Sequence, residues 1–157
     1  MSPRQIFIAV VTASLLIGGV ASADLSRSVI GAFRGQLVIT KDELPQGKTD
    51  KETIAKIKAA KLKELVGETT EEVTYWNFHY TAFLKKTGAT TLKMEFYIDG
   101  KKYVADKTLS GIDPKSTALA GTISINEDEG LTRGKSYVVK LVAGKNTIVA
   151  QTPLVMK

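Results

Sequence analysis

From Glu72 to the C-terminus, apolar and polar residues alternate with period two, and turn-forming residues interrupt the alternation at short intervals. That is the signature of strands with one buried face. Thr74, Trp76, Phe78, Tyr80, Ala82 and Leu84 point one way along a long strand, while Val73, Tyr75, Asn77, His79, Thr81 and Phe83 point the other. Leu92 to Ile98 and Lys101 to Leu109 alternate on either side of Asp99-Gly100, a pair that supplies the two positive φ angles of a type I′ hairpin turn. Gly111 to Ser116 makes the next turn, Leu119 to Ile125 another strand, and Ser136 to Val142 pairs with Asn146 to Val155 across Ala143-Gly144-Lys145.

Upstream the period changes. Phe33 to Thr40 has the β-branched content of a strand, giving seven in all. Thr49-Asp50-Lys51-Glu52 has the form of a capping box, which predicts a helix over residues 50–66 stopped by Gly67. Ile54, Ile57, Leu62 and Leu65 share a side with Lys58 and Lys61, so the helix is expected on a surface with its lysine stems snorkelling. Five of the ten aromatics after residue 23 lie between Tyr75 and Phe83 on both faces of one strand, which suggests cover on both sides, the helix being the second cover.

Residues 1–23 read as a cleavable secretory signal: Arg4 near the α-amino group, an uncharged run from Ile6 to Val20, then the small-x-small sequence Ala21-Ser22-Ala23 before Asp24. The apolar run falls short of the roughly 20 residues of a comfortable span. A secreted or periplasmic protein starting at Asp24 is expected, with a membrane attached only through an uncleaved leader. Losing the leader removes Arg4 alone and takes the net charge from +6 to +5. Residues 24–157 then form one domain, large enough for a core without disulfides, and the chain has no Cys. Much of the positive charge alternates with Glu52 and Glu64 on the helical segment, as on a solvated face, so no nucleic-acid partner is inferred.

The stretch from Gly130 to Leu141 carries Leu131, Gly134 and Tyr137 at the spacing of the E-to-F corner of fibronectin type III and related immunoglobulin-like domains, which it resembles. The resemblance implies a Greek-key β-sandwich in which Leu131 fills the end of the core, Gly134 turns the chain and the Tyr137 hydroxyl bonds back upstream. A helix inserted after the first strand departs from that pattern. The corner implies a fold and no particular activity.

Candidate chemistry is sparse. His79 is the only histidine, flanked by Phe78 and Tyr80, and no Ser stands at a nucleophile-elbow spacing, so neither a triad nor a zinc site can be assembled. Asn126-Glu127-Asp128-Glu129-Gly130 gathers oxygen atoms that calcium could use, but without EF-hand spacing; a solvated acidic turn is the competing reading. No cofactor is implied. Tyr75, Asn77, His79 and Phe83, with Tyr97 and Tyr103 beside them, form either a face for a sugar or peptide or a surface buried by the helix. The expected function is a non-enzymatic binding, adhesion or envelope-assembly module contacting a protein or envelope polymer. The alternative is a periplasmic inhibitor, chaperone-like protein or fibre subunit that binds by strand addition, with homo-oligomers a further option. A hydrolase of unassigned class stands third. Asn146 to Val155, with few charges and Pro153, is the expected sheet edge.

Overall fold

The computed structural model describes residues 21–22, 24–85 and 88–157. The leader up to residue 20 and Ala23 lie outside the described residues. The elements run β1 (Ala21–Ser22), α1 (Arg27–Ala32), β2 (Leu37–Thr40), α2 (Asp50–Ala60), β3 (Glu64–Leu65), β4 (Glu68–Thr70), β5 (Val73–Phe83), β6 (Leu92–Ile98), β7 (Lys102–Leu109), β8 (Ala118–Asn126), a 3-10 turn (Glu127–Glu129), β9 (Lys135–Ala143) and β10 (Thr147–Met156). The chain is mainly β, and its strands form two sheets. One has the order β1-β8-β5-β2, with β4 also on β5; the other has the order β3-β10-β9-β6-β7.

The alternation read along β5 holds at its centre: Trp76, Phe78 and Tyr80 are buried and pack with Leu37, Phe96, Leu141 and Met156 from both sheets in one core. On the opposite face only the C-terminal end is covered. Val29, Phe33, Val38, Ile57 and Phe83 form a second, smaller cluster beneath α1 and α2, with Phe33 and Phe83 rings 5.1 Å apart. The helices thus shield Phe83, and leave Tyr75, Asn77 and His79 partly open. Every residue of both clusters lies between Leu25 and Met156.

Three expectations need correction. Phe33 is not in a strand but caps α1, a helix begun by Ser26, whose side chain accepts from the Val29 N–H. The helix α2 starts as read, with Thr49 Oγ1 accepting from Glu52 N–H at 3.2 Å, while the Glu52 carboxylate reaches Lys48 N–H instead of Thr49. It stops at Ala60, six residues before Val66, because Leu62 N–H is claimed by Ile39 C=O at 2.8 Å and Glu64–Leu65 join β10 in parallel. Gly67 is small for a different reason: a Cβ there would lie 2.8 Å from Trp76 Nε1. Finally, β10 is no free edge, since β9 covers one side and β3, with the carbonyls of Gly35 and Lys63, takes up the other.

The Asp99-Gly100 turn has φ +51 and +71, the two positive values its sequence requires. The turn joining β4 to β5 makes the same demand of Glu71 and Glu72, at φ +49 and +69, where side chains carry a penalty. Glu71→Asn with Glu72→Gly should therefore stabilise the protein by about 1–2 kcal/mol, measured by urea unfolding. No gain would show that this turn is unstrained.

Candidate functional site

The residues singled out in the sequence fall into three places. Along the outer face of β5, Tyr75, Asn77 and His79 stand beside Asn126, Ser124 and Thr122 of β8, their registered partners. Among the described residues the His79 imidazole makes no hydrogen bond. A groove of about 430 Å³ opens here, lined in part by His79, Asn77, Lys41, Thr122, Ser124 and Lys107. Phe83, on the same strand face, is fully buried under α1 and takes no part in the open surface.

Tyr97 lies on the other sheet. Pairing sets it between Val138 of β9 and Tyr103 of β7, and sets its neighbour Glu95 between Lys140 and Asp106. The Tyr97 and Tyr103 rings meet edge to face at 5.9 Å, with the Lys140 ammonium 4.1 Å from the Tyr97 centroid, a cation–π contact. Each phenol is tied to a carboxylate: Tyr97 donates to Glu95 at 2.6 Å and Tyr103 to Asp106. These bonds hold both hydroxyls in the protonated form. Tyr97 is raised above its ordinary pKa chiefly by the bond to Glu95, and Tyr103 is pushed up to about 12 chiefly by the bond to Asp106. The result is a fixed aromatic pair ringed by one cation and two carboxylates, with Tyr103 48% exposed. The sequence pointed to Tyr97 but placed it with His79; only the strand order, set by long-range pairing, separates them.

The third place is the turn before β9. Leu131 is buried, Gly134 has φ +80 and gives its N–H to Met156 C=O, and the Tyr137 hydroxyl accepts from Thr132 N–H at 2.8 Å. Tyr137→Phe should lower stability by about 1–2 kcal/mol, the range for removing one buried hydrogen-bond partner. An unchanged denaturation midpoint would mean the bond holds nothing. The acidic turn ahead of it is used in folding: Glu127 accepts from Thr74 N–H, Glu129 from Asn126 N–H, and Glu129 pairs with Lys107. Among the described residues no three His, Cys, Asp or Glu side chains gather as a metal site.

No protein family matches the chain, and no curated protein or solved structure is significantly similar to it.

Proposed function

We propose that this chain is an exported, non-enzymatic binding module of the immunoglobulin-like, fibronectin type III class, which holds an envelope protein or polymer against the Tyr97–Tyr103 face. The class is supported by the strand order: β2-β5-β8 matches strands A, B and E, and β7-β6-β9-β10 matches C′, C, F and G, with the tyrosine corner leading into F. Export is supported by Arg4, the apolar run to Val20 and Ala21-Ser22-Ala23, with cleavage giving a secreted or periplasmic protein that starts at Asp24.

The observation that carries the binding reading is the pre-ordered tyrosine pair. Tyrosine offers a large apolar surface with one polar tip at low entropic cost, and here both rings are already fixed by their neighbours. Little ordering remains for a partner to impose. The test is Tyr97→Ala with Tyr103→Ala in protein exported from its native host, scored for retention on the envelope fraction. Retention should fall by about tenfold or more, as for loss of an aromatic hot spot, with circular dichroism unchanged. Full retention by a folded double variant would sink the proposal.

Strand addition, the second reading, is favoured by the margins of the sheets. β7 and β8 each carry a strand partner on one side along most of their length. The two margins are not alike. β7 carries Lys102, Asp106 and Lys107, and the Gly130 turn lies so close to Val104 C=O that a Cβ would sit 2.6 Å from it. β8 reads Ala-Leu-Ala-Gly-Thr-Ile-Ser-Ile-Asn, with no charge and no proline. Charges and prolines are what ordinarily keep an edge from pairing.

A further inference from the structure

We infer that the bare edge of β8 is a self-association site, at which two copies of the processed chain pair β8 against β8 in antiparallel register about Thr122. The inference rests on the export reading, because in the full chain the end of the leader already occupies part of this edge: Ala21 pairs with Ala120 and Ser22 with Leu119. That pairing demonstrates that the edge accepts an antiparallel strand. It also blocks a second copy, whose β8 would need the same two residues opposite its Ile125 and Ser124. Cleavage after Ala23 removes the blocking strand and leaves both hydrophobic clusters intact, since they begin at Leu25.

A second copy is the occupant that the charge pattern fits. An antiparallel pair with Thr122 opposite itself is isologous, so it closes as a two-fold dimer in which each β8 edge is covered by the other. Centred there, the pair brings the turn that holds Lys115, ahead of β8 in one copy, to the end where the Glu127–Glu129 turn follows β8 in the other, and does so twice. Lys115 and Asp128 are both exposed and neither side chain has an ion-pair partner among the described residues. Between these ends no charge faces a charge: Ala118 meets Asn126, Leu119 meets Ile125, Ala120 meets Ser124 and Gly121 meets Ile123. A lone edge without charge is an aggregation hazard. Two-fold closure removes it.

The test is sedimentation of a chain spanning residues 24–157 across about 1–100 µM, alongside one spanning residues 20–157 that keeps Ala21 and Ser22. The shorter chain should dimerise, and the longer one should do so about tenfold more weakly. Thr122 is exposed, so Thr122→Lys should leave the fold unchanged while setting two ammonium groups face to face and weakening the dimer by about tenfold or more. Lys115→Glu should weaken it too, and Lys115→Glu with Asp128→Lys should restore it. A monomer throughout this range, or a dimer indifferent to Thr122→Lys and to the charge exchange, overturns the inference. Intact mass of exported protein separates it from the reading beneath it: a retained leader overturns the export reading, whereas a start at Asp24 with no dimer overturns the β8 site alone.

Discussion

Trp76→Ala should destabilise the protein by about 3–5 kcal/mol, a large fraction of the roughly 5–15 kcal/mol that holds an ordinary domain folded. Trp76 is fully buried at the centre of β5, and its ring is the largest side chain in the shared core. It also fastens the end of the chain. Its Nε1–H donates to Lys157 C=O at 3.1 Å, the same carbonyl that Gly67 N–H reaches at 2.6 Å, while Lys157 N–H returns to Leu65 C=O. Truncation would therefore open a cavity and loosen β3 and the end of β10 together. Trp76→Phe keeps most of the ring and loses the donor, so it should cost only about 1–2 kcal/mol. Guanidinium unfolding followed by far-ultraviolet circular dichroism separates the two; equal losses would mean the hydrogen bond, and not the packing, dominates.

The second large effect is expected at Gly121. It faces Tyr80 across the β5–β8 pair, and a Cβ there would lie 2.8 Å from the Tyr80 hydroxyl and 3.0 Å from two ring carbons. The ring is buried and cannot swing aside, so Gly121→Ala should cost about 1–3 kcal/mol through overpacking. The Tyr80 hydroxyl is itself buried without a hydrogen-bond partner among the described residues. Removing it should be neutral or stabilising, and Tyr80→Phe should recover part of the Gly121→Ala loss by clearing the nearest atom. Burial pushes Tyr80 up to about 12 from an ordinary 10.0. The unfolded chain then releases its proton first, and stability falls as the pH rises from about 10 towards 12. Tyr80→Phe should flatten that fall, and strict additivity of the two substitutions would show that the contact is not what makes Gly121 necessary.

The elements governed by local chemistry were legible in the sequence. The period-two pattern of β5 to β10, the Asp99-Gly100 hairpin and the Thr49 cap each depend on residues within a few positions of one another. What the sequence could not show was set by distant partners. The helix α2 ends at Ala60 because Ile39 and β10 compete for the following backbone, and neither is near in sequence. The short helix α1 had a signal, Ser26 followed by Val29 and Phe33 at helical spacing, but six residues with Gly31 among them are too few for a periodic pattern to stand out. Strand order is likewise non-local, and it decides which aromatics share a surface: Tyr75 and His79 went to one sheet, Tyr97 and Tyr103 to the other, and Phe83 to the helix-covered core. The same order moved the bare edge from β10 to β8.

The proposed mode of action rests on contact through one sheet face with no chemistry at His79. Carbene footprinting of the exported protein, free and then bound to its native envelope fraction, addresses this residue by residue. Binding is expected to protect Tyr97, Tyr103 and Lys140 while Tyr75, Asn77 and His79 label as in the free protein. Protection confined to His79, Lys41 and Thr122 around the groove, with the tyrosine pair labelled as before, would contradict it.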